Sequence, residues 1–184
     1  LLTTCVFDAY GTLFDVNAAA RTAANEPNRE TFKEVWPSVS NLWRMKQLQY
    51  TWLRSMTGAY IDFWTVTQDS LDYALEAHGL HKNFDLKDRL LALYWELQPY
   101  PEVSPMLKKL KTKGIKTAIL SNGSPEMLRS AVKSSSLFDV IDEIISVEKV
   151  KIFKPSSLVY EQVENVIECS KSEVLFVSSN GWDI

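Results

Sequence analysis

Four short apolar runs, unevenly spread along the chain, restrict its fold more than any other feature. They are residues 1–7, Thr117–Leu120, Ile144–Val147 and Val174–Val177. Runs of this length and character are buried strands, and helices separate the last three. Ser104 is placed as an N-cap with Pro105 at the first helical position, and that helix ends near Gly114. Ser124-Pro125 opens a second capped helix, to about Lys133. Ser156 to Ile167 forms a third, with Val159, Val163, Val166 and Ile167 on one side. Strands alternating with helices predict an α/β fold, a doubly wound, Rossmann-like parallel sheet with helices on both faces.

The first strand is separated from the others by a stretch of different character. From Val16 to Trp95 the patterns are helical, with almost no strand. The clearest runs from Asn41 to Met56, where Leu42, Met45, Gln49, Trp52, Leu53 and Met56 recur at helical spacing and Leu48 widens the stripe. Asp62–Glu76 and Leu86–Glu96 are further helices, and Pro99 and Pro101 end the pattern. The expected organisation is a discontinuous core, 1–14 and 98–184, with an all-helical cap, 15–97, inserted into it. The chain stops just after a strand end, where such a sheet usually continues, so a C-terminally truncated core is expected.

Composition narrows the function classes. With 184 residues, 46% hydrophobic and 23% charged, the chain can build a sizeable core. A net charge of −3 gives no reason to expect nucleic acid as a partner, and the Lys108–Lys113 cluster reads as a solvated helix face. No stretch approaches the roughly 18 apolar residues of a membrane span. No signal peptide is visible, although the chain begins with Leu rather than Met. Cys5 and Cys169 are isolated, which suits a reducing cytoplasm and lacks metal-ligand spacing.

Polar residues gather where the strands end. The first strand leads into Asp8-Ala9-Tyr10-Gly11-Thr12, the second into Ser121-Asn122-Gly123, and the last into Ser178-Ser179-Asn180-Gly181-Trp182-Asp183. Lys154-Pro155, just before a helix, is a fourth group. Singly, each is explained by ordinary turn chemistry. Together they converge, because open parallel sheets bind ligands beyond the carboxyl ends of their strands. A carboxylate there, at the end of a buried strand, is costly unless it is paired or functional.

These motifs, in this order, resemble the haloacid dehalogenase superfamily and, within it, the L-2-haloacid dehalogenases. The cap run Leu42-Trp43-Arg44-Met45-Lys46-Gln47-Leu48-Gln49-Tyr50-Thr51-Trp52-Leu53-Arg54 is similar to that subgroup in particular. Phosphoryl-transferring members have Asp-x-Asp in the first motif and an acidic pair in the fourth, which together serve leaving-group protonation and Mg²⁺. Here Tyr10 replaces the second acid, and Ser178 to Asn180 replaces the pair. Asp8 and Asp183 alone make a poor cage for a hard cation, so no metal and no cofactor are expected. Dehalogenation needs neither device, because halide leaves as a weakly basic anion.

The resemblance implies covalent catalysis on a small 2-haloacid. Asp8 attacks C2 of the L-substrate, forming an ester with inversion, and water then attacks the ester carbonyl to release a D-2-hydroxy acid. Lys154 is the counter-charge of Asp8. Thr12 and Ser178 orient carboxylates, Asn180 and Asp183 position or activate the water, and Tyr160 belongs to the third motif. Arg44 and Asn122 hold the departing halide. Backbone amides around Ala9-Tyr10 and Ser121-Asn122 bind the substrate carboxylate. Tyr10, Leu48, Phe63 and Trp182 wall its alkyl chain. Met45, where relatives often have a polar residue, is expected to alter size preference, and Gly181 in place of alanine to loosen the Trp182 wall. The family is commonly homodimeric. The rivals are a small-molecule phosphatase of the same superfamily and an inactive binding homologue. A serine-hydrolase type lacks its Gly-x-Ser-x-Gly elbow here. His78 and His81 flank Gly79 in a helix-end turn.

Overall fold

The computed structural model describes residues 1–184. Strand β1 (Thr4–Phe7) is followed by helices α1 (Ala18–Ala24), α2 (Glu30–Thr57), α3 (Phe63–Ala77) and α4 (Phe84–Tyr94). The alternating part comprises α5 (Val103–Thr112), β2 (Lys116–Ser121), α6 (Pro125–Ser134), β3 (Glu143–Ser146), α7 (Ser157–Ile167) and β4 (Val174–Val177). The four strands form one parallel sheet in the order β3-β2-β1-β4. This is the predicted α/β, Rossmann-like architecture. Val6 pairs with Ala118 on one side and Phe176 on the other, so β1 is central. The chain runs outward from β1 to β2 and β3, then returns across β1 to β4. A crevice opens where that direction reverses, at the carboxyl end of β1, where Asp8 lies.

Local chemistry explains most element ends. Ser124 accepts a hydrogen bond from Met127 N with Pro125 at the first position of α6, and Asp62 and Asn83 cap α3 and α4 in the same way. Gly114 follows α5 with φ +71°, a left-handed conformation that glycine adopts freely. The two connections between sheet and inserted helices lie side by side. Asp15 N donates to Gln98 O at 2.9 Å and Tyr100 N to Leu13 O at 3.0 Å.

The helices depart from the sequence reading in four places. Helix α5 starts at Val103 with Glu102 at its N-cap, so Ser104 is not the cap. Pro105 falls within the first turn, where its missing N–H has no intrahelical partner to lose. Helix α4 spans Phe84–Tyr94, two residues earlier at each end than expected, because Asn83 supplies the cap. Helix α1 was not foreseen as an element. Its alanines carry little periodicity, yet Ala18, Ala19, Ala20, Ala23 and Ala24 are buried where α1 packs against α2 and α4.

The fourth departure is the largest. Helix α2 begins at Glu30, not Asn41, and continues through Pro37. It buries Phe32, Val39, Ser40, Trp43, Gln47 and Thr51. The expected stripe is largely on the other side, with Met45 58%, Leu53 48% and Met56 82% exposed. Hydrophobic periodicity points the wrong way because half of the buried face is polar and finds partners inside the fold. Gln47 and Trp43 bond to Thr67 of α3, and Ser40 donates to Asn17 Oδ1 at 2.7 Å.

Candidate active site

The site is organised around Asp8. Its backbone N–H continues the sheet, donating to Val177 O at 2.9 Å, which fixes Asp8 at the carboxyl end of β1 beside β4. Asp8 is 6% exposed. Its Oδ1 accepts from Lys154 Nζ at 3.1 Å, and its Oδ2 accepts from Thr12 Oγ1 and Asn180 Nδ2, both at 2.9 Å.

Lys154 is completely buried. Its ammonium also donates to Asp183 Oδ2 at 2.9 Å, so one cation lies between two carboxylates. A buried charge is tolerated only with such pairing. The Tyr160 hydroxyl donates to the other oxygen of Asp183. Burial, and then the neighbouring Asp183, push the Tyr160 phenol well above its ordinary pKa, so it remains a neutral donor. Lys154 N donates to Asn122 Oδ1 at 2.9 Å, leaving the NH₂ end of that amide for a ligand.

The turn after Asp8 is bound to the turn after β4. Thr12 Oγ1 accepts from Ser179 N at 2.9 Å, and Ser179 Oγ donates to Gly11 O at 2.6 Å. This corrects one expectation. Ser178 touches no carboxylate; its hydroxyl accepts from Asn180 N at 3.1 Å and shapes the turn. Ser179, not singled out in the sequence, makes the connection. No signal in the sequence separates the two serines, because β4 is four apolar residues long and shows no alternation from which the phase could be read.

Arg44 reaches this turn from α2. Its Nη2 donates to Tyr10 O at 2.8 Å and its Nη1 to Gln47 Oε1 at 3.1 Å. Gly11, at φ +90°, adopts a conformation that disfavours side chains, and a Cβ there would lie 3.7 Å from Arg44 Nη2. The Tyr10 ring stacks on Tyr94 (5.5 Å) and meets Phe63 (5.6 Å). Burial holds the Tyr10 phenol well above its usual pKa, and its hydroxyl has no hydrogen-bond partner. Ala9 is fully buried, and Ser121 Oγ accepts from Gly123 N at 3.1 Å.

Of the four residues expected to wall the alkyl chain, Tyr10 and Phe63 are buried against each other, while Trp182 lines a cleft whose lining does not include Tyr10, Leu48 or Phe63. Trp182, half-exposed, packs edge-on against Trp52 at 5.5 Å. Both line an open cleft of about 510 Å³ together with Ser55, Phe153 and Pro155. Phe153 lies 6.3 Å from Phe63 and so joins the cleft to the Tyr10 cluster. Phe153 was not foreseen. Leu48 is half-buried, one turn beyond Arg44. Two departures lose their expected effect. Met45 is exposed and does not narrow the site, and a Cβ on Gly181 would touch nothing within 4 Å, so its smallness loosens no contact.

No group of three or more His, Cys, Asp or Glu side chains forms. The two carboxylates that face the crevice already share an ammonium, a donor set unsuited to a hard divalent cation.

A family model for haloacid dehalogenase-like hydrolases matches residues 2–184. (S)-2-haloacid dehalogenase 1 of Pseudomonas sp. (strain CBS-3) is 47% identical over 180 residues, covering 98% of this chain and 77% of the relative. (S)-2-haloacid dehalogenase 4A of Burkholderia cepacia is 43% identical over 183 residues, covering 100% and 77%. Among solved structures, L-2-haloacid dehalogenase from Xanthobacter autotrophicus with chloropropionic acid covalently bound superposes with a TM-score of 0.86 at 42% identity. That match covers 100% of this chain and 72% of that one.

Two substitutions test the packing of the site. Lys154→Met leaves two buried carboxylates without their cation and is expected to cost about 3–5 kcal/mol of stability by urea unfolding; a loss below about 1 kcal/mol would contradict the pairing described. Gly123→Ala puts a Cβ 2.8 Å from Tyr10 Cε2 and 3.1 Å from Leu128 Cδ2. The Tyr10 ring must move, at an expected cost of about 1–3 kcal/mol. An alanine variant as stable as wild type would show that the ring is not held.

Proposed function

The chain belongs to the haloacid dehalogenase-like hydrolases, and from that premise we propose how its own residues carry out the hydrolysis of a carbon–halogen bond. The enzyme converts short L-2-haloacids to 2-hydroxy acids through a covalent intermediate. The observation that carries the reading is the setting of Asp8, a carboxylate held from three sides at the end of the central strand, with a neutral phenol rather than an acid two residues on.

Asp8 is the nucleophile. A carboxylate has about four lone-pair sites. Oδ2 has two donors and Oδ1 has one, so the attack on C2 is assigned to Oδ1. The bond to halogen breaks as the bond to Oδ1 forms, and C2 inverts. Oδ2 then becomes the carbonyl oxygen of the ester. When water adds to that carbonyl carbon, negative charge develops on Oδ2. Thr12 Oγ1 and Asn180 Nδ2, each at 2.9 Å, are already aimed there, within the range of an oxyanion hole. Lys154 holds Asp8 ready for attack and, once the ester has formed, remains paired with Asp183. Asp183, fixed by Lys154 and Tyr160, positions and activates the water.

Arg44 and the NH₂ of Asn122 hold the departing halide. The amides around Ala9-Tyr10 and Ser121-Asn122 take the substrate carboxylate, and the aromatic wall from Tyr10 and Phe63 to Trp182, with Leu48, takes the alkyl chain. The product is the D-2-hydroxy acid. The same reading includes a core of 1–14 and 98–184 with a cap of 15–97, which the paired connections at Asp15 and Gln98 support. It includes a cytoplasmic setting, in keeping with two free cysteines, and no helix is long and apolar enough to cross a membrane. It also includes a homodimer, in keeping with the exposed Met45, Leu53 and Met56 of α2.

The test is halide release from L- and D-2-chloropropionate, with and without EDTA. Release from the L-isomer alone, undiminished by chelation and abolished in a folded Asp8→Asn protein, is the expected outcome. Activity that chelation removes and Mg²⁺ restores would contradict the proposal, as would full turnover by Asp8→Asn with deamidation excluded.

A further inference from the structure

Gln47 is 1% exposed, inside the helical layer, where a primary amide must satisfy both of its ends. Which end faces where is settled by its neighbours. Thr67 Oγ1 donates its only proton to Phe63 O at 2.7 Å, so towards Gln47 it can only accept. The atom 2.8 Å from Thr67 Oγ1 is therefore the amide nitrogen, Nε2. Oε1 is thereby turned towards Arg44 Nη1, which can only donate, at 3.1 Å. The Tyr94 hydroxyl lies 3.1 Å from Nε2 and 3.3 Å from Oε1 and closes the network. Its ring stacks on Tyr10.

We propose that Gln47 is a positioning residue for halide departure, its amide oxygen setting the angle of the Arg44 guanidinium over the crevice. The proposal rests on Arg44 as the halide ligand. Arginine is a long, rotamer-rich side chain, and a guanidinium is useful to a leaving group only if its free N–H groups already point at the site. Here the two terminal nitrogens are each held by one acceptor, Tyr10 O from the turn that carries Asp8 and Gln47 Oε1 from α2 itself. Tyr10 O ties the guanidinium to the nucleophile's own loop, and Gln47 prevents rotation about that tie. The acceptor must be neutral, because a carboxylate at position 47 would compete with halide for the same cation.

The experiment measures kcat and KM for L-2-chloropropionate, and inhibition by added bromide, in wild type, Gln47→Met, Gln47→Leu and Arg44→Ala, with thermal unfolding as the control for folding. Gln47→Met keeps the length but cannot accept. It is expected to lower kcat about tenfold or more and to weaken bromide inhibition similarly, the worth of one hydrogen bond to a charged group, with KM little changed. Gln47→Leu cannot accept from Arg44 either and adds no charge, so it is expected to weaken bromide inhibition by a similar factor; it decides the matter if the Met variant does not fold. A purely architectural role predicts instead a reduced folded fraction with the bromide constant of wild type, and that result in either folded variant overturns the proposal. Bromide inhibition weakened in Arg44→Ala but unchanged in both Gln47 variants removes Gln47 alone. Inhibition unchanged in Arg44→Ala removes the halide site itself, and the role of Gln47 with it.

Discussion

The ammonium of Lys154 is the interaction on which the rest of the site depends. It is buried completely, between two carboxylates, Asp8 from the end of β1 and Asp183 from the turn after β4. Neither carboxylate could be held this deep alone, and neither could the lysine. Their shared desolvation cost is offset only while all three are in place, which makes this a strong constraint on geometry even if it adds little net stability. Secondary contacts extend the constraint to every strand. Lys154 N is bound to Asn122 beyond β2, Ser146 at the end of β3 donates to Gly123 O at 2.6 Å, and Tyr160 of α7 holds Asp183. The carboxyl edge of the sheet is thus one connected polar network rather than four independent loops.

That arrangement favours one kind of chemistry. A phosphoryl-transferring site needs a metal between its acids and a second acid for the leaving oxygen. In this chain an ammonium stands between the acids, and burial keeps the phenol of Tyr10 protonated and apolar in behaviour. A halide carries its own negative charge away and requires no proton. The substrate carboxylate is a single charge, within the reach of backbone amide donors. What the site has given up are the parts that dehalogenation does not use.

Much of this was legible in the sequence. The motifs at the strand ends and the all-helical stretch between β1 and α5 follow from short apolar runs and helical periodicity, while the grouping of Thr12, Lys154, Asn180 and Asp183 with Asp8 is what the family resemblance implies. Three things were not legible, for physical reasons. Helix α2 buries a half-polar face, so hydrophobic periodicity selected the exposed residues Met45, Leu53 and Met56 instead of Val39, Gln47 and Thr51. Ser178 and Ser179 are chemically identical neighbours, and only the backbone direction after β4 decides which one reaches Thr12. Phe153 precedes the lysine that draws attention, and its place in the aromatic wall depends on contacts with Tyr60 and Phe63, far away in the chain.

The central claim is that Asp8, and not water, makes the first bond to C2. A single turnover of L-2-chloropropionate in ¹⁸O-water, with enzyme in excess, tests it directly when product and active-site peptide are both analysed by mass spectrometry. Covalent catalysis transfers an Asp8 oxygen to the substrate, so the first 2-hydroxy acid should carry little label and have the D configuration. The label should appear in the peptide that contains Asp8. A fully labelled first product with an unlabelled peptide would mean direct attack by water and would contradict the account.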